Sequence, residues 1–176
     1  TCSQGLGNLN RSTNGGTSFA AVNPTGLTGR HAFFPPYLLD PVTPGRMLYA
    51  SDRVHVSTNN GSAFTARSGD LTSGTPHAIR AMAMGTTETQ YVYVATSDSR
   101  VLSSSDGGTN FTLRLTDAHG WPRTTRELLV DPTDAQTVYL AGAQFGMPHV
   151  RRSTDAGATW TNLSGNLPDV PTNVIE

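Results

Sequence analysis

Apolar and polar positions alternate along this chain in short stretches, with a period of two residues. Such alternation over four to eight residues predicts β-strands with one buried face. The stretches are bounded by turn-forming pairs such as Asp40-Pro41 and Asp131-Pro132, and none has a helical period. The strands predicted in this way are Tyr37–Leu39, Met47–Ala50, Val54–Val56, Ile79–Met84, Tyr91–Thr96, Val101–Leu102, Leu128–Val130, Thr137–Ala141 and His149–Arg151. The pattern therefore predicts an all-β protein.

An eight-residue phrase occurs four times among these strands. Each copy reads Ser-x-Asp/Asn-x-Gly-x-x-aromatic, and the copies start 45, 47 and 49 residues apart. The copies are Ser12–Phe19, Ser57–Phe64, Ser104–Phe111 and Ser153–Trp160. A nearly constant spacing of this length indicates repeated supersecondary units, which in a β-rich chain are propeller blades of about four strands.

The phrase has a structural explanation as a hairpin that carries its own anchor. The third position can accept backbone hydrogen bonds in an Asx-type turn, and the glycine two residues later can adopt a positive φ. We expect the final aromatic residue to fold back into the apolar layer. The turn-forming residues are Asn14, Asn59, Asp106 and Asp155. The glycines are Gly16, Gly61, Gly108 and Gly157, and the aromatic residues are Phe19, Phe64, Phe111 and Trp160.

The phrase resembles the Asp-box, or bacterial neuraminidase repeat. This repeat occurs in sialidases, xyloglucan-degrading glycosidases, sortilin-type receptors, a photosystem assembly factor and many secreted bacterial proteins. The stretch Ser153–Glu176 is similar to the connector between blades of the last group. The resemblance implies a β-propeller of four-stranded antiparallel blades, each with an Asp-box hairpin between its last two strands. It also implies a secreted or extracellular location, at the bacterial surface or in the periplasm.

Counting the repeats predicts three nearly complete blades between two part-blades. We assign a part-blade to residues 1–29, blades to 30–75, 76–123 and 124–171, and the start of another blade to 172–176. Propellers of this kind usually have more blades, so we expect a segment of a larger propeller. A small closed ring of four blades is the alternative.

Composition narrows the classes of partner. The net charge is −1, and all 12 basic residues apart from histidine are arginines, so no basic surface favours nucleic acid. No apolar run is long enough to span a bilayer. The single cysteine, Cys2, and five histidines without ligand spacing predict no metal site, and no phosphate-binding or dinucleotide-binding motif indicates a cofactor.

Catalytic residues are hard to assign from the sequence. Sialidases require an arginine cluster, whose Arg-Ile-Pro motif is absent here, and xyloglucanase-type enzymes require two carboxylates across a groove. Most acidic residues lie at turns or in the repeated phrase. Those outside this pattern are Asp70, Glu88, Asp117 and Glu127. We assign no catalytic residue.

Two irregular insertions are the candidates for binding. One holds Asp117, His119, Trp121 and Arg123, and the other, His31–Tyr37, holds Phe34 and Tyr37. Because they occupy corresponding places in their units, we expect them to emerge on one face and line a shared surface. Aromatic rings with nearby charged groups suit glycan or protein partners. The alternative is that both are connectors packed between sheets.

The sequence therefore supports two functions. The first is a non-catalytic, extracellular recognition or scaffold module for protein or glycan partners, which also contacts further blades of the same or another chain. The second is a xyloglucanase-like or sialidase-like glycoside hydrolase whose catalytic carboxylates lie partly outside this sequence. We favour the first, because the acidic residues fall mostly on structural positions.

Overall fold

A computed structural model describes residues 8–116 and 125–175 of the chain, and these are all-β. A two-stranded sheet comes first, followed by three four-stranded sheets, and every pairing of strands within a sheet is antiparallel. The predicted all-β class with four-stranded antiparallel sheets is thus confirmed.

The strands follow one another in sheet order. The first sheet pairs β1 (Asn10–Arg11) with β2 (Ala20–Ala21). The second holds β3 (Tyr37–Leu39), β4 (Met47–Ala50), β5 (Val54–Ser57) and β6 (Thr65–Ala66). The third holds β7 (Ile79–Met84), β8 (Val92–Thr96), β9 (Arg100–Ser104) and β10 (Thr112–Thr116). The fourth holds β11 (Thr125–Val130), β12 (Val138–Gly142), β13 (Val150–Ser153) and β14 (Thr161–Asn162).

Adjacent sheets meet along their first strands. β3 contacts β7, and β7 contacts β11. The first strand is an edge of each four-stranded sheet, so these edges form the inner side of the array. Each copy of the repeated phrase forms the hairpin between the last two strands of its sheet, as predicted.

The core lies between the sheets in three apolar clusters. One joins the third and fourth sheets through Tyr93, Val101 and Leu140, which are fully buried. The Tyr93 hydroxyl donates to the backbone oxygen of Ala135 across this interface (2.7 Å). Burying an aliphatic or aromatic side chain contributes about 1.5–3 kcal/mol, so contact between sheets, more than any one sheet, stabilises the fold.

The ends of the strands define two faces of the array. We call the hairpin formed by the repeated phrase the Asp-box hairpin, after the resemblance of its sequence. Antiparallel strands alternate in direction, so this hairpin and the turn between the first two strands lie at the same end of a sheet. Backbone hydrogen bonds join these two turns in every four-stranded sheet, for example from Asn60 N–H to Gly45 O (2.9 Å) and from Ala156 N–H to Gln136 O (2.9 Å). We call this end the box face.

The opposite end carries the connectors between sheets and the turns between second and third strands. Here Ile79 N–H, at the start of β7, donates to Ser51 O in the turn that follows β4 (2.8 Å). We call this end the cleft face. No helix in the two described ranges has the length and apolar character needed to cross a membrane.

Candidate binding cleft

The Asp-box hairpins on the box face use their polar atoms within the turn. The Ser153 hydroxyl donates to Asp155 Oδ1 (2.7 Å) and accepts from Gly157 N–H (2.8 Å). Ser12, Ser57 and Ser104 make the same pair of bonds in their own hairpins. The glycine has a φ of 82° to 90° in all four copies, a conformation that a side chain would strain.

The third residue of each phrase locks the hairpin from the other side. Asp155 Oδ1 accepts from the backbone N–H of Thr159 (2.8 Å), and Asn59 Oδ1 accepts from that of Ala63 (2.9 Å). Hydrogen bonds from the Thr159 side chain and backbone lower the pKa of Asp155 to about 2. The pKa of Asp106 is lowered as well, first by the backbone N–H of Asn110. These carboxylates act as turn acceptors.

The aromatic anchors of the four hairpins differ in burial. Phe64 is buried and Trp160 is half-buried, and the Trp160 indole also donates to Gly157 O (2.9 Å). Phe19, however, is 53% exposed, so the expectation that all four fold into the apolar layer is wrong for this residue. Its sheet has only two described strands, and they form too narrow a layer to cover the ring.

A cleft of about 470 Å³ opens on the cleft face, where the inner strands of successive sheets begin. Apart from Ser97, which follows β8, its lining comes from three segments: residues 31–34 before β3, the residues around the start of β7, and the first two residues of β11. The three segments are distant in sequence. They meet because each precedes or opens the innermost strand of its sheet.

An aromatic pair forms one wall of the cleft. Phe33 and Phe34 are 65% and 64% exposed, and their rings pack edge to face with centroids 4.8 Å apart and planes at 82°. Exposed aromatic rings in a pair are common at recognition surfaces, where they supply rigid contact area. His31 lies beside them on the same wall.

Two arginines at equivalent positions also line the cleft. Arg80 is the second residue of β7 and Arg126 is the second residue of β11. The strand register shifts at both places, between Ile79 and Ala81 and between Thr125 and Glu127. A β-bulge of this kind redirects a side chain away from the regular alternation, and both arginines are exposed in the cleft.

A buried hydroxyl lies next to these arginines. Thr125 lines the cleft but is only 3% exposed. Its Oγ1 atom is buried and makes no hydrogen bond in the structure as described. A buried polar atom without a partner costs about 1–3 kcal/mol, so such atoms call for a specific explanation.

An ion-pair network around the buried Asp52 carboxylate holds the residue that precedes the aromatic wall. Arg30, which precedes His31, pairs with Asp52 (Nη1 to Oδ2, 3.1 Å) and with Asp70 (Nη2 to Oδ2, 2.5 Å), and its Nε donates to His77 O (3.1 Å). Burial alone would raise the pKa of Asp52. Hydrogen bonds from Arg53 and from the Arg30 backbone, with the two positive charges, outweigh burial and lower it. The carboxylate is therefore ionised and holds the connector in place.

The structure separates the binding residues predicted from sequence. Phe34 lies in the cleft, whereas Tyr37 is half-buried on β3 and packs against the cluster that contains Tyr49 and Phe64. The other four predicted residues lie outside the described residues, so their place stays a prediction. They are Asp117, His119, Trp121 and Arg123.

Sequence reasoning did not identify Arg80, Thr125 or Arg126 as binding candidates. A signal was present, because an arginine follows the first residue of two consecutive inner strands. The β-bulges that direct these side chains into the cleft cannot be predicted from the pattern of apolar residues. In the part of the chain that the structure describes, no three His, Cys, Asp or Glu side chains group as metal ligands would.

Solved β-propeller structures share this fold. An ancestral GH74 enzyme is similar to 89% of this chain with a TM-score of 0.62 and 19% identity, and 21% of its own length is covered. The GH74 xyloglucanase from Xanthomonas campestris matches 76% of this chain with a TM-score of 0.57 and 17% identity, over 23% of its length. YCF48 from Cyanidioschyzon merolae matches 72% of this chain with a TM-score of 0.55 and 12% identity, over 35% of its length.

YCF48 has also been solved bound to a D1 peptide, and that structure matches 77% of this chain with a TM-score of 0.54 and 10% identity, over 45% of its length. No protein-family model matches the chain, and no curated protein sequence does. The chain thus has the fold of propeller blades and spans about a fifth to under half of the length of these structures.

Proposed function

We propose that this chain is part of an extracellular recognition module and that the cleft docks a segment of a partner protein. The observation that carries the proposal is that the exposed Phe33–Phe34 pair lines one cleft together with Arg80 and Arg126. Aromatic residues and arginine dominate the energetics of protein interfaces, because they combine large contact area with directional hydrogen bonds.

The dimensions of the cleft support a peptide segment as the occupant. Its volume of about 470 Å³ falls within the range of pockets that bind small ligands or a few side chains. The inner strands that hold Arg80 and Arg126 are fixed by contacts between β7 and β11. The arginines therefore start from positions fixed by the sheets, which lowers the cost of ordering the site on binding.

The similarity in fold to a peptide-binding protein is consistent with a protein partner. A structure of YCF48, which has this fold, contains a bound D1 peptide. At 10% identity this likeness concerns the fold alone, and the proposal for this chain stands on its own cleft. Secretion belongs to the same proposal and rests on the Asp-box resemblance.

No observation on this cleft favours glycoside hydrolysis. That chemistry uses two carboxyl groups roughly 5–10 Å apart on either side of the scissile bond. The cleft lining that the structure describes contains two guanidinium groups and an imidazole, with no aspartate or glutamate. Turnover assays of the intact protein on sialosides and β-glucans test this alternative directly, and turnover would replace the recognition proposal.

The proposal is tested by recovering partners from the extracellular fluid of the source organism. We expect the immobilised intact protein to retain a partner whose amount is measured by mass spectrometry. The double variant Phe33→Ser/Phe34→Ser should retain at least tenfold less of it. The expected loss follows from removing two exposed rings, since aromatic hot spots contribute about 2 kcal/mol or more each.

A matched control exists on the other face. Val42 is also exposed, at 56%, but lies in the turn between β3 and β4 on the box face. Val42→Ser should retain the partner as the unchanged protein does. Equal recovery by the double aromatic variant and the unchanged protein would contradict docking at this cleft.

A further inference from the structure

We infer that Arg80, Arg126 and the Thr125 hydroxyl form a carboxylate-binding subsite in the cleft. The inference deepens the proposed function and rests on it, because it names the group of the partner that the cleft would bind. The partner segment would place a carboxylate on the arginines and an apolar or aromatic neighbour against Phe33 and Phe34.

The two β-bulges are the first support. In a regular strand, neighbouring side chains point to opposite sides of the sheet. At β7 and β11 the register shifts between the residues that flank Arg80 and Arg126, and both side chains line the same cleft. Two consecutive sheets thus present the same cation, from the same strand position, to one space.

The Thr125 hydroxyl is the second and independent support. It is buried beside Arg126, it belongs to the cleft lining, and its oxygen has no hydrogen-bond partner in the described structure. Valine would fill the same volume without the cost of an unpaired hydroxyl. A bound oxyanion would accept this O–H together with the guanidinium N–H groups, which gives the hydroxyl a partner.

The local charges favour an anion at this place. No carboxylate in the described ranges forms an ion pair with Arg126. The acidic residue next to it on β11, Glu127, accepts a hydrogen bond from Ile175 N–H (2.9 Å) and is not part of the cleft lining. Arg126 therefore contributes positive charge to the side of the cleft that the structure describes.

A carboxylate carried by a peptide fits both the donors and the aromatic wall of this cleft. The planar guanidinium group presents paired N–H groups that match the two oxygens of a carboxylate. A carboxylate in a peptide comes either from an acidic side chain or from the carboxyl terminus. The aromatic wall adds a requirement for an adjacent apolar residue, which free inorganic anions do not satisfy.

Three small probes test the subsite on the intact protein. They are N-acetyl-phenylalanine, N-acetyl-aspartyl-phenylalaninamide and the neutral N-acetyl-asparaginyl-phenylalaninamide. NMR spectra of the arginine side-chain N–H groups report binding at Arg80 and Arg126. We expect the carboxylate probes to shift these signals, and the neutral probe to bind at least about tenfold more weakly, the usual difference for a charge-assisted hydrogen bond.

Variants separate a binding role from a structural one. Arg80→Gln and Arg126→Gln should each weaken the carboxylate probes about tenfold and leave the neutral probe unchanged. Thr125→Val should weaken them as well while the midpoint of thermal unfolding stays equal or rises, a combination that a purely structural threonine would not give. Arg152→Gln is the matched control, because Arg152 is exposed on β13 and is not part of the cleft lining.

The outcomes distinguish this inference from the proposed function. The first two probes show whether a terminal or a side-chain carboxylate is preferred, and a response to either supports the subsite. Equal affinity for acidic and neutral probes, or no shift at about 10 mM, overturns the subsite. If the Phe33→Ser/Phe34→Ser variant keeps its protein partner while the carboxylate probes still bind, docking is wrong and the subsite stands.

Discussion

The box face and the cleft face of this chain are built from the same repeat but differ in how their polar atoms are used. In the Asp-box hairpins, the serine hydroxyl and the third-position side chain donate or accept within the turn, as Ser153 and Asp155 do. On the cleft face the Thr125 hydroxyl has no described partner, and Phe33 and Phe34 are exposed. The repeat uses its polar atoms to stabilise one end of the sheets, and the other end keeps exposed rings where we propose recognition.

The largest expected effect comes from the support behind the cleft. The Asp52 side chain is 1% exposed and pairs with Arg30 and Arg53. Asp52→Ala should lower the free energy of unfolding by about 3 kcal/mol, because Arg53 Nε and the Arg30 backbone N–H both lose a charged acceptor at a buried position. Chemical denaturation of the intact protein measures this loss.

The control for Asp52 is an exposed carboxylate on the same face. The Asp169 side chain is 59% exposed, lies 3.2 Å from His149 and accepts from Gly146 N–H. Asp169→Ala should cost no more than about 1 kcal/mol. If the two substitutions lower the free energy of unfolding equally, the Arg30 network does not hold the aromatic wall in place. The proposed difference between a fixed support and an open cleft would then be wrong.

A smaller effect is expected within the box face. Ser153 is buried and its hydroxyl satisfies the buried Gly157 N–H. Ser153→Ala should cost about 2 kcal/mol, whereas Ser12→Ala in the exposed first hairpin should cost about 0.5 kcal/mol, because water can replace the lost acceptor there. Thermal unfolding of the two variants measures both losses in stability. Equal losses would show that burial does not determine how much this hydrogen bond contributes to stability.

The smallest expected effect is a difference between the hairpins in how their stability depends on pH. The pKa of Asp155 is about 2 in the folded state and 3.8 is its ordinary value. The stabilisation is therefore complete above about pH 4 and is lost as the pH falls from 3.8 towards 2. Asp106 behaves in the same direction, while Asn14 and Asn59 do not titrate.

Hydrogen exchange across pH 4 to 2 measures this difference between hairpins. Residues 104–111 and 153–160 should lose protection in acid relative to 12–19 and 57–64. Asp155→Asn should make the last hairpin insensitive to pH. Acid loosening of all four hairpins alike would mean that the titrating groups lie elsewhere.

Much of the fold could be predicted from the sequence, because its information is local. The period of two residues located β7 at Ile79–Met84, and the repeated phrase located the hairpins between third and fourth strands. Phe19 was misjudged because its burial depends on neighbouring strands and not on the phrase itself. A local sequence pattern predicts the turn but does not predict whether neighbouring strands bury its aromatic residue.

The site was less predictable, because it depends on bulges and on contacts between sheets. Phe34 was a candidate from its irregular aromatic insertion, but Tyr37 in the same insertion packs against the core. Arg80 and Arg126 look like solvent-facing strand residues in the sequence. Only the register shifts of β7 and β11 and the contact between these strands bring them into one cleft.

The most direct test of the division between the two faces is hydrogen exchange of the intact protein with and without its recovered partner. We expect added protection at residues 31–36, at 76–80 and at the start of β11, with the Asp-box hairpins unchanged. Added protection confined to the hairpins at 57–64, 104–111 and 153–160 would contradict it, because the partner would then bind the face assigned here to stability.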